Sequence, residues 1–132
     1  MRHTIHNLIE QPNMGIFGNA TGIAVEAVAK DLEPLLVEGE IVEHAFKLTR
    51  DQIIFTNKRV ITIDKQGLTG AKQNIRTVPY KSIRMMSKQG AGILSSGELL
   101  LYVTGESEPL KFEFSGSAAF NSVYQLISVR IL

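Results

Sequence analysis

The chain has 132 residues, 44% of them hydrophobic and 20% charged, with a net charge of +1. That make-up suits one globular domain with a single core. There is no cysteine, which excludes disulfides, thiolate metal sites and a cysteine nucleophile.

No apolar run approaches the roughly 20 residues that a membrane-spanning helix needs. The first residues, MRHTIHNLIEQPNMG, lack the continuous apolar segment of a signal peptide. A cytoplasmic protein is expected. The small net charge conceals an uneven distribution: residues 1–46 sum to −5, residues 47–88 to +8 and residues 89–132 to −2. Asymmetry of this size bears on partners rather than on fold.

In chain order, Pro12, Gly15 and Gly18 interrupt any period, so residues 1–19 are expected to form a flexible lead-in. Residues 20–38 read as an N-terminal helix, with Asn19 or Thr21 as candidate caps. Val25, Val28, Ala29, Leu32 and Leu36 recur at three- and four-residue steps, which places them on one helical face. Pro34 disfavours helical geometry at Glu33, so a kink or restart is expected there, with an end at Gly39.

Residues 39–132 form the second unit. From residue 41 the period changes to two. IVEHAFKLT, QIIFT and RVITID read as strands. Asn57 and Lys58 form a plausible two-residue hairpin loop, because Asn tolerates positive φ. KQGLTGAK is a turn around Gly67 and Gly70. QNIRTVPYKSIRMMSKQ is one long strand or two, broken at Pro79, which cannot donate to a ladder. GAGILSSG is a loop, and ELLLYVTG with PLKFEFSG makes a further hairpin. The final segment, SAAFNSVYQLISVRIL, carries Phe120, Val123, Tyr124 and Ile127 at helical spacing, with Ser117 as its N-cap. About seven antiparallel strands and a terminal amphipathic helix describe a small barrel that the helix plugs.

Catalytic chemistry finds no constellation. No serine lies in a G-x-S-x-G pattern, and GLTGAK is too short for a phosphate-binding loop. His3, His6 and His44 have no carboxylate cluster to complete a metal site, and no cofactor is expected. The basic middle attracts phosphates in principle. Its only aromatics, counting Phe46 at its border, are Phe46, Phe55 and Tyr80, however, and the two phenylalanines alternate like core residues rather than a stacking platform. Nucleic acid is therefore not an expected partner.

Three words carry a family resemblance: RDQIIFTNKRVITIDKQGLTGAK at 50–72, VPYKSI at 78–83, and AG at 91–92 with EL at 98–99. In that order they resemble the bacterial pleckstrin-homology (PH) domain family, over roughly residues 35–130. The resemblance implies a PH-like barrel of two near-orthogonal sheets closed by the C-terminal helix. It also implies no known catalysis and a tendency toward ring-shaped homo-oligomers. Acidic residues expected on either side of the AG are replaced here by Gln89 and by Leu94-Ser95-Ser96.

In eukaryotic relatives, basic residues on the first strands and their connecting loop hold inositol phosphates. The matching candidates here are Lys47, Arg50, Lys58 and Arg59. The connection Leu48-Thr49-Arg50-Asp51 is very short for wrapping a headgroup, and lysines at strand edges also serve simply to solvate turns. The helical stripe Val25, Val28, Ala29, Leu32 and Leu36 packs either on its own barrel or against a neighbouring subunit. Its acidic flank, Glu26, Asp31 and Glu33, suits the basic strands of a copy. The leading expectation is a non-enzymatic PH-like scaffold that assembles with itself into a ring, with other proteins as further possible partners. The alternative is a peripheral module on anionic membrane lipid.

Overall fold

The computed structural model describes residues 19–47, 51–66, 71–90, 97–114 and 117–132. The expected lead-in up to residue 18, the Gly67–Gly70 turn and most of the GAGILSSG loop lie outside those residues. The strands are β1 (Asn19–Gly22), β2 (Val42–Lys47), β3 (Gln52–Thr56), β4 (Arg59–Gln66), β5 (Lys72–Pro79), β6 (Ile83–Gly90), β7 (Gly97–Val103) and β8 (Leu110–Phe114). Helix α1 spans Val25–Leu32 and α2 spans Ser117–Ile131.

The strands form one ladder in the order β5-β4-β3-β2-β1-β8-β7-β6. Two antiparallel meanders, β2–β5 and β6–β8, are joined by β1, which pairs antiparallel with β2 and parallel with β8. β5 and β6 are the two ends of this ladder. The architecture is PH-like, but among the described residues the hydrogen bonding stays open between β5 and β6 instead of closing a barrel.

Two cores follow from the alternation of the strands. Phe46, Ile53, Phe55, Val60, Leu99 and Leu101 point between the sheets, where Phe120, Val123 and Ile127 of α2 cover them. Val42, Ala45, Ile54, Ile61 and Ile63 point the other way and meet Val28 and Leu32 of α1. β3 is thus buried on both faces, which is why QIIFT reads as an apolar run rather than an alternation.

The helix expected over residues 20–38 is shorter. Residues 19–22 are drawn into β1 by pairing Thr21 with Lys47 and Gly22 with Phe46. Neither Asn19 nor Thr21 caps α1; its N-cap is Ala24, with no side-chain hydrogen bond. Packing outweighs the missing cap: burying Val28 and Leu32 contributes about 1.5–3 kcal/mol each, whereas a cap contributes about 1 kcal/mol. The break at Pro34 is present as a single 3-10 turn over Glu33–Leu35. The chain then reverses at Gly39, whose φ is 79°. Pro79 divides its segment into two strands, with a 3-10 turn at Tyr80–Ser82 between them.

Candidate functional site: an internal clasp and a basic free edge

The FTNKR word builds a clasp. The Thr56 hydroxyl donates to Glu40 Oε2 at 2.7 Å and accepts from the backbone N–H groups of Lys58 and Arg59 at 3.0 and 2.9 Å. Asn57 stitches the turn to the chain entering β2. Its Oδ1 accepts from Ile41 N–H at 2.7 Å, and its Nδ2 donates to Gly39 O at 3.0 Å. Arg59 donates from Nε to Glu40 Oε2 at 2.8 Å and from Nη2 to Oε1 at 3.0 Å, a bidentate pair. It also donates to Thr77 Oγ1 and to Leu35 O.

The Glu40 side chain is fully buried, and burial alone raises a carboxyl pKa. The hydrogen bonds from Arg59, Val37 N–H and Thr56 outweigh burial and hold it at about 2. Nearby, Tyr80 donates to Thr56 O at 2.6 Å, and burial pushes its phenol above the usual range. Arg130 of α2 bonds Asn57 O and Glu43, tying the terminal helix to the same turn.

This geometry disperses the expected anion site. Arg59 is directed onto Glu40. Lys58 is exposed at the β3–β4 turn, whereas Lys47 lies at the far end of β2, opposite Gln52. Five residues of strand separate the two ends, about 17 Å. Arg50 lies outside the described residues. The expected interface stripe is covered in cis: Val28 and Leu32 are buried on the protein's own sheet, with Val25, Ala29 and Leu36 packed beside them. The reason is β3, whose outward Ile54 needs a cover.

Sequence reasoning missed a different feature. Residues 71–90 hold Lys72, Arg76, Lys81, Arg84 and Lys88 and no acid. They make up β5, the Tyr80–Ser82 turn and β6, so these cations follow both free ends of the ladder. Lys72, Arg76, Lys81 and Arg84 are exposed. Arg84 lies over the Tyr102 ring at 5.7 Å and Lys88 over the Phe120 ring at 5.1 Å. A count of acids in the +8 segment would have located this run. Among the described residues no cluster of three or more His, Asp or Glu is placed to hold a metal. None of their helices is long and apolar enough to cross a membrane.

A family model described as the bacterial PH domain matches residues 13–131. The chain belongs to the bacterial PH domain family. Among similar proteins, the uncharacterized protein YjqA of Bacillus subtilis is 46% identical over 96 residues, covering 72% of this chain and 77% of that one. The uncharacterized protein YozO of the same organism is 37% identical over 116 residues, covering 87% and 96%. A solved protein from Shewanella loihica with a pleckstrin-homology domain superposes with a TM-score of 0.78 at 34% identity, over 87% of this chain and 99% of that one. A pleckstrin-homology domain from Shewanella amazonensis gives 0.65 at 35% identity, over 87% and 94%. In this bacterial PH domain, FTNKR forms the clasp that ties the β3–β4 turn to the chain entering β2.

Proposed function

We propose that this bacterial PH domain is a non-enzymatic scaffold that assembles head to tail with copies of itself into a closed ring. One observation carries the reading: opposite charges stand on different exposed surfaces. Exposed Lys81 of the 3-10 turn and Arg84 precede the exposed Met85 at the start of β6. The stripe of α1 that meets the sheet is buried, while Glu26 and Asp31 of the helix and Glu33 of the following 3-10 turn are exposed around it. A contact between unlike patches is heterologous, so it closes into a ring or runs on as a filament. The family resemblance read from the sequence favours closure.

Light scattering coupled to size exclusion tests this. The expected result at low salt is a single multiple of 14.6 kDa, reduced by high salt, which screens charge contacts, and by Arg84→Glu. A monomer at tens of micromolar in low salt overturns it. Peripheral binding to anionic lipid has less support, because Lys47 and Lys58 do not converge and Arg59 faces Glu40.

A further inference from the structure

Among the described residues β5 is the end strand of its sheet, hydrogen-bonded to β4 along one side only. Its eight residues are exposed up to Thr77. An unpaired edge of this length presents a row of backbone donors and acceptors that fits another extended chain.

The two faces of β5 differ in chemistry. Ile75 lies opposite Ile63, whose side chain belongs to the core under α1. On that face a groove of about 240 Å³ runs between α1 and β5, with Val28, Leu32, Leu35, Ile63 and Ile75 among its walls. Asp31, Gln52, Lys65 and Gln73 complete the lining, so the groove is mixed, but Leu35 and Ile75 are 48% and 43% exposed and give it an open apolar patch. On the other face, Lys72, Asn74 and Arg76 continue the row of the buried Val78. Asp64, opposite Asn74, forms no ion pair with either cation among the described residues.

We propose that the β5 edge docks an extended segment of a partner protein in which apolar and acidic residues alternate. Side chains of an added strand alternate between faces. One set enters the groove beside Leu35 and Ile75. The other set stands next to Lys72 and Arg76, where opposite charges are favoured and like charges are not. The charge also argues against a second copy pairing edge to edge, because β6, the other free edge, carries Arg84 and Lys88.

The test uses a fluorescent peptide of alternating valine and glutamate, matched to the eight residues of β5. Two control peptides replace glutamate with lysine, or keep the composition but group the valines and glutamates in blocks. Anisotropy on the full chain is expected to show saturable binding of the alternating acidic peptide alone. Ile75→Lys and Arg76→Glu, checked for folding by circular dichroism, weaken it by about tenfold or more. Lys47→Glu leaves it unchanged.

Equal binding of the block peptide would mean plain charge attraction, and equal binding of the lysine peptide would remove the role of Arg76. Either result, or no saturable binding, overturns the proposal. So does a fall in assembly mass as peptide binds, which would make a second copy the occupant. Recruitment to anionic vesicles that Arg76→Glu abolishes, without peptide binding, would assign the edge to a membrane instead. The assembly mass without peptide reports separately on the ring.

Discussion

The guanidinium of Arg59 meets both carboxylate oxygens of Glu40, 19 residues earlier, at 2.8 and 3.0 Å. The Glu40 side chain is fully buried and that of Arg59 is 18% exposed. Arg59→Ala leaves a buried carboxylate without its cation, at an expected cost of about 3 kcal/mol, the lower end of the range for a broken buried pair. Glu40→Gln keeps two hydrogen-bond acceptors' worth of shape but only one oxygen, and should cost less. Because Glu40 is held at about 2 against an ordinary 4.5, its contribution is full above 4.5 and is lost as pH falls from 4.5 toward 2. Urea unfolding of wild type and Arg59→Ala across that window checks both points. The variant should lack most of the acid-linked loss.

Asn57 holds the same corner through neutral bonds. Its side chain accepts from Ile41 N–H and donates to Gly39 O. Asn57→Ala removes both, at an expected cost of about 1–2 kcal/mol. Asn57→Asp keeps only the acceptor and places a carboxylate against the Gly39 carbonyl, so it should not restore the loss. Equilibrium unfolding of the two variants separates this reading from a simple turn preference. If Asp restored full stability, hydrogen bonding to Gly39 would be irrelevant.

These two residues show what the sequence revealed. The period of two, the hairpin at Asn57 and the breaks at Pro34 and Pro79 are local signals, and each sits where expected. The turn cations looked like a ligand site because charge type is visible in a sequence and direction is not. Arg59 points at Glu40 across a long loop closure that no local pattern reports. The start of α1 was missed for a related reason. Residues 19–22 prefer β1 because β2 and β8 are there to receive them, and that is a tertiary fact. The stripe on α1 was legible; its partner depended on β3 being buried on both faces. The basic free edge needed the ladder order, since exposure of residues 71–90 follows from β5 and β6 being terminal.

Gly97 opens β7 opposite Gly90, at the end of the β6–β7 ladder. A β-carbon there would collide with the backbone carbonyl oxygen of Gln89. A backbone atom cannot swing aside as a flexible side chain would, so the ladder end must part. Gly97→Ala is expected to destabilise by about 1–3 kcal/mol, as overpacking does. Amide exchange should quicken at Lys88 and Gln89 while the β3–β4 hairpin stays protected. Uniform loss of protection across both sheets would contradict a local clash.

His44 is fully buried between the sheets, stacked on Phe46 with ring centroids 6.0 Å apart. Neither ring nitrogen has a hydrogen-bond partner among the described residues. Burial favours the neutral ring and lowers its pKa from an ordinary 6.5 to about 4. The folded state therefore takes up a proton later than the unfolded state as pH falls. Stability is full above 6.5 and declines between 6.5 and 4, by up to about 3 kcal/mol. This window lies above that of Glu40, so acid should weaken the protein in two successive stages. His44→Phe removes the titrating group and two unsatisfied nitrogens while keeping an aromatic ring against Phe46. Urea midpoints at fixed protein concentration, taken from pH 7 to pH 4, are expected to fall steadily for wild type and to stay nearly level for the variant. An unchanged slope in the variant would place the upper acid stage on some other group.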